Sequence, residues 1–162
     1  MKRIIAIAAL AALMTLAGRA QEKTKVYDES IDPMEQIDGA LAQAKAQSKF
    51  VICQVGGNWC PWCLEFARFI TADEEISKTI RDNYVYIHVN YNPRKTPDKA
   101  AAAKMLKRLG NPQRFGFPVF VVLDSGGSVL HIQDSALLEL DKSYDKAKVL
   151  RFFRNWTPAA VR

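Results

Sequence analysis

The chain's apolar positions recur with two periods, and the changes between those periods mark out its elements. Met34, Ile37, Leu41 and Ala44 stand at helical spacing and predict a helix over about 33–48. Asp32 is placed to cap it, Pro33 suits the first helical position, and Glu35 completes a capping-box spacing. Phe50 to Val55 is a short β-branched run that reads as a buried strand, and Gly56-Gly57-Asn58 breaks it. Trp59 to Ile70 follows as a helix, with Pro61 in its first turn and Leu64, Phe66, Phe69 and Ile70 as its apolar face. Thr71 or Asp73 can cap a further helical stretch over about 74–82, and Tyr84 to Asn90 alternates as a strand. Beyond a polar loop at 92–97, Asp98 to Leu109 predicts a short helix ended by Gly110-Asn111. Pro118 to Leu123 and Ser128 to Gln133 are two strands joined by a turn at 124–127, a hairpin spacing. Lys142 to Trp156 then predicts a closing helix carrying Val149, Leu150, Phe152, Phe153 and Trp156.

Strands separated by helices predict parallel pairing through right-handed crossovers, with the final hairpin adding an antiparallel edge. The expected fold class is α/β: a central mixed sheet with helices on both faces, forming one domain over 31–162. Residues 21–30 (QEKTKVYDES) are polar and predict a flexible lead-in.

The first twenty residues have the pattern of a secretory signal. Lys2 and Arg3 form a positive start, Ile4 to Leu16 an apolar run, and Gly18 and Ala20 the small residues of a cleavage site after Ala20. That run is about thirteen residues, short of the ~20 a membrane-spanning helix needs, so a periplasmic or secreted protein without a stable membrane anchor is expected. Arg19 stands where a lipoprotein box needs a cysteine, which excludes lipid attachment there. The formal charge of +6 shrinks once the leader is set aside: without Lys2, Arg3 and Arg19, 20 basic residues face 17 acidic ones, a balance of +3. With no basic cluster, no nucleic-acid partner is expected.

Export changes the meaning of the cysteines, because disulfides form and persist outside the cytosol. Cys53, Cys60 and Cys63 are too few for a disulfide framework. Cys60-Pro61-Trp62-Cys63 lies where a strand passes through a glycine turn into a helix, and cysteines three apart at a helix start share a face and can bridge. Free N–H groups and the helix dipole favour a thiolate on the first, which can bring a thiol from about 8.5 into the ~3.5–7.5 range. Pro61 fixes φ at the helix entrance and has no N–H to satisfy. A zinc site needs two more ligands, and only His88 and His131 remain, far along the chain; haem attachment needs a histidine where Leu64 stands. No metal and no cofactor is therefore expected. Cys53 reads as a buried core thiol, on the opposite face of its strand from Gln54.

Trp59-Cys60-Pro61-Trp62-Cys63, read with the flanking 50–70 segment and the Phe117-Pro118 strand entry, resembles the thioredoxin superfamily, in particular its exported bacterial members. The resemblance covers most of 31–157 and implies a three-layer α/β/α sandwich. It implies that Cys60 attacks a substrate disulfide and that Cys63 resolves the mixed disulfide. Trp59 and Trp62 would form an apolar platform beside the sulfur, and Pro118, matching the family's cis-proline, would form the opposite wall with Phe117. Two departures stand out. Gln54 occupies the position of the family's buried aspartate and cannot act as an acid or base, which leaves proton transfer to Glu65 or a water, or else a slow resolving step. Pro61-Trp62 differs from the Gly-Pro of reducing thioredoxins and leaves the direction of electron flow open.

The expected function is an extracytoplasmic thiol–disulfide oxidoreductase acting on protein thiols and disulfides and recycled by a redox partner. Its alternatives are a binding or assembly module on the same scaffold without turnover, or a reductase with a single client.

Overall fold

The computed structural model describes residues 25–161. The expected signal and its cleavage site after Ala20 lie outside the described residues, as do the first residues of the lead-in.

Among the described residues, five α-helices and four main strands follow in the order α1 (Pro33–Gln47), β1 (Phe50–Gly56), α2 (Pro61–Ala72), α3 (Glu74–Asn83), β2 (Tyr84–Asn90), α4 (Lys99–Arg108), β3 (Val119–Leu123), β4 (Val129–Asp134) and α5 (Lys146–Asn155). Four helices start on an aspartate: Asp32, Asp73, Asp98 and Asp145 accept amide N–H groups of the first turns of α1, α3, α4 and α5. The remaining one, α2, starts on Cys60.

The strand order is β2-β1-β3-β4, with β1 parallel to β2 and antiparallel to β3, and β4 antiparallel to β3. The parallel pairing expected of helix-separated strands therefore holds for β1 and β2 but not for β3. Val119 pairs with Val55 and Asn90 with Gly56, so the chain re-enters the sheet at the end where it left β2. The hydrophobic pattern fixes which face a side chain takes, not which way its strand runs.

Alternation divides β1 between two cores, as expected of a strand covered on both faces. Val51, Cys53 and Val55 pack with Ile37, Ala40 and Ala44 of α1 and Met105 and Leu106 of α4. Ile52 packs on the other face with Phe66 and Ile70 of α2, Ile76 and Ile80 of α3, and Val149, Phe152 and Phe153 of α5. The result is the three-layer sandwich. No helix among the described residues is long and apolar enough to cross a membrane.

Two further expectations are corrected. The closing helix begins at Lys146, not Lys142, because Ser143–Tyr144 forms a strand, β6, that pairs with β5 (Glu139–Leu140) around Asp141 at φ 53°. Tyr27, within the stretch expected to be a flexible lead-in, is fully buried. Its backbone is held by Asn58, whose Oδ1 accepts the Val26 and Tyr27 amides at 3.1 Å and whose Nδ2 donates to the Tyr27 carbonyl at 2.8 Å.

Candidate active site

Gly56 ends β1, and the turn after it delivers Cys60 to the mouth of α2. Cys60 donates its N–H to the Gly57 carbonyl at 3.1 Å, and its Sγ accepts the Cys63 N–H at 3.2 Å, so the sulfur itself caps the helix. Cys60 and Cys63 form a disulfide with their Cα atoms 5.2 Å apart. Cys60 keeps 4% of its surface exposed and Cys63 none, so an incoming sulfur meets Cys60 first. Burial removes the water that would otherwise stabilise a thiolate on either sulfur. At Cys60 the free N–H groups and dipole of α2 oppose that cost.

Gly56 has a steric reason to lack a side chain. A Cβ built there would overlap the Cys63 Sγ and stand 3.0 Å from the Tyr27 hydroxyl.

Aromatic rings surround the disulfide. Trp59 is 43% exposed, packs edge-on to Phe117 at 5.6 Å, and donates its indole N–H to the Tyr91 carbonyl at 3.0 Å. Tyr91 lies 5.7 Å from Phe117 on the same side. Trp62 packs against the cysteine cluster and edge-on to Tyr144 at 5.4 Å, and its carbonyl accepts the Tyr144 hydroxyl at 3.1 Å. Phe117 also packs against the cysteine cluster, and the Phe117–Pro118 peptide is cis, with Pro118 buried. The structure thus brings Trp59, Pro61, Trp62, Phe117 and Pro118 to the end of the sheet where the dithiol lies.

Glu65 is turned elsewhere. Two residues on from Cys63, it lies about 200° around the helix. Its carboxylate accepts Arg68 at 2.6 and 2.8 Å and Ser143 Oγ at 2.6 Å, bonds led by Arg68 that hold it below the usual carboxylate range. None of these bonds reaches a cysteine.

Beneath Cys63 lies a polar network that sequence reading did not find. Gln54 Nε2 donates to the Tyr27 hydroxyl at 2.7 Å and to the Cys63 carbonyl at 3.0 Å, while its Oε1 accepts the Tyr86 hydroxyl at 2.6 Å. His88, opposite Gln54 on β2, sets its ring edge-on to Tyr27 at 5.2 Å and to Tyr86 at 5.4 Å. Burial pushes the Tyr27 and Tyr86 phenols well up and the His88 imidazole down to about 4. All three are therefore neutral at pH 7. A glutamine inside an apolar strand was the available signal, since a fully buried amide requires partners. Strand alternation could have placed Tyr86 and His88 beside it, but nothing in the pattern marks Tyr27.

Cys53 faces the opposite core, and burial pushes its thiol up to about 12. β1, which carries Cys53 on the face opposite Gln54, separates it from the dithiol.

A mixed sheet between two helical layers, with a Cys-X-X-Cys disulfide at a helix start and a cis-proline opening a neighbouring strand, defines the thioredoxin-fold class. The chain belongs to the thioredoxin-like family, whose model matches residues 32–125. Among solved structures it is similar to a disulphide isomerase from Xylella fastidiosa Temecula1, with 22% identity, a TM-score of 0.67, and 80% of this chain and 94% of that one covered. It is also similar to a thioredoxin from Thermus thermophilus, with 23% identity, a TM-score of 0.50, and 73% and 81% covered. At these identities the likeness is one of fold. No curated protein matches the chain significantly.

Proposed function

We propose that this protein is an extracytoplasmic thiol–disulfide oxidoreductase that exchanges its Cys60–Cys63 disulfide with thiols and disulfides of other proteins. The observation that carries the reading is the disulfide itself, placed on the N-cap of α2 and packed against aromatic side chains, with Cys60 the half of it that keeps some exposure. In the oxidising direction, a substrate thiolate attacks Cys60 Sγ; the Cys60–Cys63 bond breaks, a mixed disulfide forms, and the electron pair stays on Cys63. A second substrate thiolate then attacks the substrate sulfur of that mixed disulfide. The substrate disulfide closes, Cys60 leaves as a thiolate, and two electrons have passed to the protein. The reducing direction is the same path reversed, with Cys63 attacking Cys60 to release the substrate thiolate.

Trp59, Trp62, Phe117 and Pro118 serve as the substrate-binding walls, and Pro61 fixes the entrance of the loop. The leader at 1–20 supplies export to the periplasm or medium, with cleavage after Ala20 and the catalytic domain running from 31 onward. A separate redox partner returns the dithiol to its working state.

The test is insulin reduction, and oxidation of a reduced protein, by wild type and by Cys60→Ser. Activity in wild type alone supports the assignment, and equal activity in both ends it. Cys63→Ala, which stalls resolution, should accumulate mixed disulfides with many exported proteins; a single trapped partner would indicate one client, and none a module without turnover. Equilibration against glutathione sets the direction: ~−270 mV marks a reductant and ~−120 mV an oxidant.

A further inference from the structure

The network beneath Cys63 contains one hydroxyl whose hydrogen is unspent. Tyr27 is fully buried, shares its packing cluster with Cys60 and Cys63, and accepts a hydrogen bond from Gln54 Nε2 at 2.7 Å. Among the described residues its hydroxyl donates to nothing. The neighbouring phenols are committed: Tyr86 donates to Gln54 Oε1 at 2.6 Å, and Tyr144 to the Trp62 carbonyl at 3.1 Å. Gln54 offers both amide hydrogens to oxygen atoms, at 2.7 and 3.0 Å, and can exchange no proton.

The Tyr27 oxygen and the Cys63 sulfur also converge. Both lie against the point where a Gly56 side chain would begin, 3.0 Å from the hydroxyl and overlapping the sulfur. Gly56 therefore leaves open the space between them.

Opening the disulfide puts the charge of a thiolate on a sulfur with no exposed surface, and an unpaired charge there is costly. The titratable groups around it are Tyr27 and the cap residue Cys60 in the same cluster, Tyr86 and His88 of β2 reached through Gln54 and Tyr27, and Tyr144 of β6 bonded to the neighbouring Trp62 carbonyl. Burial keeps the three phenols and the imidazole uncharged at pH 7, so no cation stands by to compensate. A hydrogen-bond donor is what this site has to offer.

Resting on the oxidoreductase reading, we infer that the Tyr27 hydroxyl is a catalytic hydrogen-bond donor to the Cys63 thiolate. When a substrate thiolate attacks Cys60, the Cys60–Cys63 bond breaks and its electron pair goes to Cys63 Sγ; Tyr27 turns its O–H onto that sulfur and keeps its proton. In the reverse step the bond is given up as Cys63 attacks Cys60 and expels the substrate thiolate. Gln54 positions the donor by occupying the phenol oxygen's lone pair, and Asn58 positions it by pinning the backbone of Val26 and Tyr27.

The test follows Cys63 by NMR in the reduced full chain labelled at cysteine Cβ, titrated with pH and with no substrate present. Cys53, whose thiol burial pushes up to about 12, does not titrate in the same range. Tyr27→Phe should raise the Cys63 pKa by about one pH unit, a tenfold weaker acid. Tyr86→Phe removes a hydroxyl from the same network without removing the donor and should leave Cys63 where it is. A Cys63 value unmoved by Tyr27→Phe, or moved equally by both variants, overturns the inference. If Tyr27→Phe does not fold, 3-fluorotyrosine at position 27 keeps the size and strengthens the donor: the Cys63 value should fall, and an unchanged value is again fatal. The two readings fail separately. Absence of exchange activity in wild type refutes the oxidoreductase, whereas the substrate-free titration decides Tyr27.

Discussion

Gln54→Leu isolates the energetics of the network beneath the dithiol. The substitution keeps the side chain's approximate volume but withdraws three hydrogen bonds: those to Tyr27, to the Cys63 carbonyl and from Tyr86. The Cys63 carbonyl retains its place in the ladder of α2, so its loss is small. The Tyr86 hydroxyl loses its acceptor outright and the Tyr27 hydroxyl loses its donor, at about 1–3 kcal/mol for each group left without a partner. The leucine recovers about 1 kcal/mol of apolar transfer. The net expectation is a destabilisation of about 1–5 kcal/mol. With a urea m-value of about 2 kcal/mol/M, the unfolding midpoint of the oxidised protein should fall by about 0.5–2.5 M at unchanged slope. Adding Tyr86→Phe to Gln54→Leu removes the orphaned hydroxyl and should return about 1 kcal/mol or more, because deleting both partners costs less than deleting one. Tryptophan fluorescence in urea measures both. An unmoved midpoint in the single variant, or strictly additive costs in the double variant, refutes the account of Gln54 as a buried amide held by its partners.

Gly56→Ala should destabilise the oxidised protein by about 1–3 kcal/mol, since its methyl group meets the Cys63 sulfur and the Tyr27 hydroxyl; a calorimetric Tm equal to wild type would sink the close-approach argument. His88 binds its proton at about 4 when folded, against 6.5 ordinarily, so between those values the unfolded chain holds more protons. Stability therefore rises with pH across that window, and about 3 kcal/mol is lost on acidification from 6.5 to 4. His88→Phe should flatten that slope and be more stable than wild type at pH 5; matching urea midpoints at that pH would count against it. Asn58→Ala frees the Val26 and Tyr27 backbone and should sharply accelerate amide exchange at both positions, whereas retained protection would show that packing alone holds the segment.

Local chemistry was legible wherever one residue decided it. The alternation of β1 separated Cys53 from Gln54 in advance, and the structure puts them in opposite cores. Asp32 was readable as the cap of α1, and Asp73 was one of two candidates for α3; the place of Cys60 at a helix mouth followed from the glycine turn and proline around it. What escaped depended on partners distant in sequence. Tyr27 is a single aromatic in a polar stretch, with no period to betray it, and is buried because Asn58, 31 residues away, holds its backbone. The β5–β6 strands have two residues each, too short for alternation to show. The reversal of β3 depends on where the chain re-enters the sheet, which no side-chain pattern encodes.

The position of Cys53 also bears on how the protein acquires its bond. In an unstructured chain three thiols within eleven residues meet freely, and the wider loops from Cys53 compete with the native one. Once β1 has docked in register, the sheet stands between Cys53 and the other two sulfurs, and a slip of one residue would carry it to the wrong side. Oxidation after strand docking yields one product, and oxidation before it yields three; the timing of folding against thiol oxidation thus decides the yield of correctly bonded protein.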